Sequence, residues 1–299
     1  MNASGIPKGM KMPEWSTQLS LDSMARSGVG VSILSISAPA VGFSKDKAEA
    51  ASLARENNEY AASLRDQSPS QFGFFATLPN LDDVKACMDE IAHSFDVLKA
   101  EGVTLLTSYS GKYLGHPDFR PIWDELDRRG SVVFIHPSAD IHAGVLKEPW
   151  IPAPIIDFPH ETTRTAVHMI IANTVREHPN CKIILSHGGG TLPYAATRFA
   201  YLSAEGKFMQ KSAEEFVEDA KSFYYDLALT AFDHPVRLLR EFARKDHILY
   251  GSDFPFAREG IVARQVANLD QIFSGMSREE EFSIRRGAAL KLFPRLAKS

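Results

Sequence analysis

The chain has 299 residues, 44% of them hydrophobic and 23% charged, which gives enough apolar material for one large core and the balance of an ordinary globular protein. Its formal charge of -4 comes from 33 Lys and Arg interspersed among 37 Asp and Glu, with no block of either sign, which excludes a basic nucleic-acid face. No apolar run reaches the roughly 18 residues of a membrane span, the opening MNASGIPKGMKMPEW lacks the apolar middle of a secretory signal, and Cys87 and Cys181 have no CxxC spacing; a cytoplasmic protein with buried free thiols is predicted.

Residues 1–14 are rich in Gly, Pro and Lys without a period and read as a surface arm or loop, with Trp15 anchoring its end. A helix capped by Ser16 follows and runs to Arg26. GVGVSILSISAP is a strand signal closed by Pro39, and the strong helix formers between Lys45 and Arg65 predict a long helix. The alternation continues: FGFFATLP as a strand, Leu81 to Ala100 as a helix with Val84, Met88, Ile91, Phe95 and Leu98 on one face, GVTLLTSY as a strand, a loop, a helix over PIWDELDRRG, and SVVFIHP as a strand. Ser138 to Phe158 reads as a long lid or binding loop around Trp150. Then come a helix from Glu161 to His178, the strand CKIILSH, helices over Leu192 to Glu205 and Ala213 to Ser222, the strand FYYDLAL, a helix from His234 to Arg244, the strand HILYGSD and a helical tail. Strands spaced by helices imply right-handed βαβ units on a parallel sheet. Seven strands are legible, one fewer than the eight of a closed (β/α)8 barrel, and no shift in composition marks a boundary, so 1–299 is expected to be a single domain.

Three of these strands end alike. His136 closes VVFIH, His187 closes IILSH before three glycines, and Asp253 closes ILYGSD, each where Pro or Gly redirects the chain. In an α/β barrel the carboxyl ends of the strands surround the active site, so three stretches would deliver two imidazoles and a carboxylate to one place, a donor set that suits zinc or a harder divalent ion. Each residue also has a plain reading, as a hydrogen-bonded structural histidine or a capping aspartate; the recurrence favours the metal site. Gly188 to Gly190 could cradle a phosphate, but the run lacks the Lys-Ser/Thr of a P-loop and a tight turn explains it equally well. Glu161, at the expected helix start, has a surface, capping or supporting role. Arg198 reads as an exposed arginine. Trp150, Phe254 and Phe256 flank the expected mouth, as packing or as the aromatic wall of a pocket. His116, His142, His160, His168, His178, His234 and His247 are taken as surface or packing residues.

The ordered blocks VVFIHP, WIPAPIIDFPHETTRTAV, ILSHGGGTLPYAATR and YGSDFPF resemble the amidohydrolase-related proteins that include aminocarboxymuconate semialdehyde decarboxylase and the non-oxidative hydroxybenzoate decarboxylases. PEWSTQLSLDSMARSGV and GKYLGHPDF resemble most the branch of 6-methylsalicylate decarboxylases. The resemblance implies a metal-dependent TIM barrel that removes CO2 from an aromatic ortho-hydroxy acid. It makes His136 and Asp253 ligands of one divalent metal, zinc before manganese, with no organic cofactor. His187 and Asp253 become the catalytic pair, Glu161 a supporting residue, and Trp150 and Phe256 the grip on the ring. Arg198 falls where an arginine enters the neighbouring subunit's site, which implies a homodimer. Ser20 stands where the semialdehyde enzyme binds a second carboxylate with an arginine, so a monocarboxylate is favoured. Family members open with a strand carrying His-x-His or Glu-x-His, whereas the first histidine here is His93; strand 1 and two ligands are therefore expected to be missing. The rival readings are a metal-dependent hydrolase of a lactone, ester or amide, and an inactive or non-catalytic paralogue.

Overall fold

The structure is a computed structural model that describes residues 12–138 and 151–298. Seven parallel strands form one sheet in chain order: β1 (Ser32–Leu34), β2 (Phe72–Thr77), β3 (Gly102–Leu106), β4 (Val132–His136), β5 (Lys182–Leu185), β6 (Tyr224–Asp226) and β7 (Ile248–Leu249). α1 (Thr17–Ser27) precedes β1, and between the strands run α2 (Lys47–Gln67), α3 (Val84–Ala92), α4 (Arg120–Arg128), α5 (Ala153–Ile171), α6 (Leu192–Glu205), α7 (Ala213–Lys221) and α8 (Asp233–Phe242); α9 (Glu259–Phe273) follows β7. Ser16 caps α1 as the sequence announces, and Asp46, inside the stretch read as helix, caps α2. Ser16 Oγ accepts from Leu19 N at 3.1 Å and Asp46 from Glu49 N at 2.8 Å, satisfying donors that the first helical turn leaves free.

Several boundaries differ from expectation, each for a local reason. Only Ser32–Leu34 of the first strand signal is paired, because Pro39 and the turn after it take the chain away. The helix expected from Leu81 begins at Val84, where Asp83 caps it, and ends in a wide turn over His93–Val97. The long loop stops short of Phe158: α5 already starts at Ala153, with Pro154 in its first turn where a missing N–H does no harm. It ends at Ile171, since Asn173 at φ 67° breaks it before the single turn Thr174–Glu177. Ser108–Tyr109 leaves the third strand signal to pair with Lys112–Tyr113 in a small antiparallel hairpin. Residues 1–11 of the expected arm lie outside the described residues.

Strand register separates two cores. Outward residues Phe74, Val103, Leu105, Val133, Ile135, Leu185 and Tyr225 pack with Ile91, Trp123, Met169 and Phe216 of the helices. β2 and β3 are buried along their whole length, as strands covered on both faces must be. Inward residues Phe75, Val132, Ile184 and Leu249 form a second cluster in the lumen, closed from below by Phe293 and Leu296 of the C-terminal segment. Phe75 lies 5.8 Å from both Phe134 and Phe293 between ring centroids.

Among the described residues the sheet is curled and not closed, with β1 and β7 as its ends. Both border a cavity of about 1070 Å³ that runs from the carboxyl ends of the strands down to Phe293 and Leu296. α1 bridges this side by packing on α9, tied by Arg26 to Glu259 through contacts of 2.8 and 3.0 Å. Cys87 and Cys181 are buried free thiols, both pushed up to about 12 by burial. Among the described residues no helix is long and apolar enough to cross a membrane.

Candidate active site

His136, His187 and Asp253 come together at the carboxyl ends of β4, β5 and β7, with one donor atom of each within 4.8 Å of the others. Their order in the chain is distant; parallel strand geometry makes them neighbours. His136 is the last residue of β4, held in register beside Leu106 of β3, and points into the lumen. Its Nδ1 donates to the carbonyl of Pro137 at 2.9 Å, which leaves Nε2 with a lone pair facing the site. Burial, and then the neighbouring His187, push its pKa down to about 4, so the ring is neutral at pH 7.

His187 lies two residues beyond β5, in the turn SHGGG. Its φ is 53° and that of Asp253 is 59°, left-handed conformations that non-glycine residues rarely adopt and that cluster at functional sites. The turn after His187 is tight because helix and sheet press on it. A Cβ on Gly189 would lie 2.5 Å from the Tyr225 ring, and one on Gly190 would lie 2.0 Å from the Pro159 carbonyl of α5. Close packing therefore accounts for these glycines, and Thr163 of α5 accepts from Thr191 N at 2.8 Å to hold the turn down.

Asp226, the last residue of β6, was not singled out by the sequence reading. It is buried, and its Oδ1 accepts from His187 N at 3.0 Å and Ala228 N at 2.9 Å, fixing the backbone of the catalytic turn. Burial raises its pKa to about 6 against the pull of His187 and these two donors. Burial also works against a charge on His187, but the Asp253 carboxylate, 3.9 Å from Nε2 and beyond hydrogen-bond reach, together with Asp226, raises its pKa. Its Nδ1 has no partner among the described residues. A single polar residue inside the apolar run FYYDLAL was the signal that could have found Asp226.

The other candidates are placed less uniformly. Phe256 and Phe254 line the large cavity, as does Trp15, and the His136 ring stands edge-on to Phe158 at 6.0 Å. Ser20 is also on the cavity wall. Glu161 is no helix-opening surface residue: it lies in the body of α5, fully buried, where it accepts from Tyr113 Oη at 3.1 Å and pairs with Arg164 at 3.0 Å. No contact joins it to the two histidines or Asp253 among the described residues. Arg198 is exposed on the outer face of α6, away from this chain's own cavity. His178, taken as surface or packing, is buried with Nε2 3.0 Å from Asp124. Trp150 lies outside the described residues, as does His142.

The donor chemistry fits a divalent cation. Two imidazoles and one carboxylate converge, one imidazole has its tautomer set by a carbonyl, and the other has an Nδ1 without a partner among the described residues.

Comparison with known proteins gives a consistent result. The profile of the amidohydrolase family matches residues 10–295. A decarboxylase from Aspergillus niger is 45% identical, covering 97% of this chain and 82% of that protein. The 6-methylsalicylic acid decarboxylase of Penicillium expansum is 43% identical over 98% of this chain and 91% of that protein. The crystal structure of an amidohydrolase II superimposes with a TM-score of 0.85 at 29% identity, covering 96% of this chain and 91% of that one.

Proposed function

Because this chain belongs to the amidohydrolase family, we propose that it is a metal-dependent, non-oxidative decarboxylase of an aromatic ortho-hydroxy acid of the 6-methylsalicylate type. The observation that carries the reading is the meeting of His136, His187 and Asp253 at the mouth of an apolar cavity. The substrate class follows the 6-methylsalicylic acid decarboxylase to which the chain is 43% identical.

His136 and Asp253 would hold the cation, zinc or manganese being the ions that a nitrogen and oxygen donor set accepts. Bound there, a divalent ion supplies positive charge that orients and polarises an aromatic carboxylate and its ortho oxygen. The remaining chemistry belongs to the side chains. Phe254 and Phe256 hold the ring and keep water from it. Asp253, in its protonated form, delivers a proton to the ring carbon that bears the carboxylate. That carbon becomes tetrahedral and the ring loses aromaticity; when the bond to the carboxylate breaks, its electron pair returns to the ring and CO2 leaves. His187 holds the carboxylate oxygens as this bond opens, and Asp253 regains a proton before the next turnover. Asp226 keeps His187 in place through its backbone.

The functional unit in this reading is a homodimer. Arg198 lies on a stripe of α6 with Tyr194, Tyr201 and Leu202, all exposed at helical spacing, and such a stripe on a second copy gives Arg198 a route to the partner's cavity. The test is incubation with 6-methylsalicylate and Mn²⁺ or Zn²⁺. The account expects m-cresol and CO2. Failure of every ortho-hydroxybenzoate to release CO2 would sink it, and acid release from a lactone or ester would transfer the site to hydrolysis.

A further inference from the structure

The catalytic arrangement uses β4 to β7 and leaves the opposite side of the lumen unassigned. There, at the carboxyl ends of β1 to β3, a smaller pocket of about 100 Å³ opens beside the main cavity, with Ile36 on the wall of both. Leu106 on its wall is the register partner of His136, and Ser138 lies two residues beyond that ligand. Neighbouring strands are about 5 Å apart, so the pocket is within the span of one aromatic acid anchored at His136, His187 and Asp253.

Two threonines define its chemistry. Thr77 and Thr104 are cross-strand partners in the β2–β3 ladder, in the register of inward-facing Phe75 and Phe134. They are 3% and 5% exposed, and neither hydroxyl has a hydrogen-bond partner among the described residues. A buried hydroxyl without a partner is unfavourable, so two side by side on a pocket wall call for an explanation. Other polar groups of the pocket are already engaged: Tyr109 Oη accepts from Leu106 N at 2.9 Å, and Asn80 Nδ2 donates to Ser110 Oγ at 3.2 Å.

The position of Thr77 is also fixed by a network that the decarboxylation does not use. Asn58, buried, accepts from Thr77 N at 2.8 Å and donates to Thr77 O at 2.9 Å. Its Nδ2 also donates to Glu90 at 2.7 Å, and Glu90 is held by Arg55 at 2.8 Å. A charged and polar chain of three residues thus terminates on the backbone of a threonine on the pocket wall whose own hydroxyl is buried without a partner among the described residues.

We propose that Thr77 and Thr104 form a polar subsite that hydrogen-bonds a neutral hydroxyl substituent on the substrate ring, on the side away from the carboxylate. The inference rests on the aromatic-acid reading of the main site. Among the described residues no cationic side chain lines the pocket, which disfavours a second carboxylate, and its volume holds one substituent and not a second ring. A hydroxyl can accept from one threonine and donate to the other, satisfying both at once.

The test compares 2,4-dihydroxy-6-methylbenzoate with 2-hydroxy-6-methylbenzoate on the 299-residue chain in the presence of Mn²⁺. Dissociation constants come from calorimetry and kcat/KM from CO2 release. The wild type is expected to favour the dihydroxy acid by about tenfold, which corresponds to about 1.4 kcal/mol. Thr77→Val and Thr104→Val, which keep side-chain shape and lose the hydroxyl, should bring that ratio toward unity, while Thr77→Ser retains it. A wild-type ratio near unity, or a ratio that the valine variants leave intact, overturns the subsite. Selective, valine-sensitive binding without CO2 release supports the subsite and sinks the decarboxylase reading. CO2 release from both acids without valine-sensitive selectivity does the reverse, and binding of neither acid overturns both.

Discussion

His187 and Asp253 pay for their positions with left-handed backbone at φ 53° and 59°, a conformation that Asn tolerates better than most residues. His187→Asn is therefore predicted to keep the fold, with thermal unfolding nearly unchanged, while kcat falls by about a hundredfold or more. Loss of stability on the same scale as loss of activity would mean that the histidine is structural. The two thiols give a second prediction at this scale. With both pushed up to about 12 by burial, the folded protein at pH 8.5 should resist an alkylating reagent that modifies both cysteines in denaturant; rapid modification of the native chain would contradict their burial. His136, His187 and Asp253 were legible because one chemical type recurs where apolar runs end. Thr77 and Thr104 were not, since only the pairing of β2 with β3 reveals that two ordinary threonines share one inward face.

At the scale of elements, hydrophobic period located nearly every helix and strand, and local polar groups decided where each begins. Ser16 is a readable cap, whereas Asp46 sits within a stretch that reads as helix and proves to be its cap. The start of α5 was missed because Trp150-Ile-Pro-Ala-Pro reads as loop, although proline in a first helical turn is permitted. As a result Glu161 moved from a helix end to a buried position beside Tyr113. Asn58 was hidden for a different reason: a polar residue among the helix formers of α2 looks solvent-facing until β2 is laid against it. Asn58→Ala removes both bonds to the Thr77 backbone and one to Glu90. A loss of about 3 kcal/mol in denaturant unfolding is expected, given roughly 1–3 kcal/mol for each buried group left unpaired. A change within experimental error would show that water replaces the amide.

At the scale of the whole fold, the seven sheet strands among the described residues and their parallel order could be read from the alternation of periods, but the curl of the sheet and the contents of its lumen could not. The C-terminal segment reads as a helical tail with no stated destination; it proves to be the floor of the lumen, where Phe293 meets Phe75. Phe293→Ala should cost about 3 kcal/mol, in the range of large-to-small changes in a core, with a matching fall in unfolding midpoint. The exposed stripe of α6 makes a separate prediction: Tyr201→Glu should shift the protein from dimer to monomer in sedimentation equilibrium, and a wild type already monomeric would remove Arg198 from the account.

The central claim is that His136 and Asp253, at two of the three converging strand ends, hold one divalent ion and that decarboxylation depends on it. Its most direct measurement takes wild type, His136→Ala and Asp253→Asn through dialysis against Zn²⁺ or Mn²⁺, then reads bound metal and CO2 release from carboxyl-labelled 6-methylsalicylate on the same samples. The account predicts about one ion per wild-type chain, as in a single catalytic site, and the joint loss of metal and CO2 release in both variants. Full CO2 release by a variant that has lost its metal, or by metal-free wild type, would contradict it.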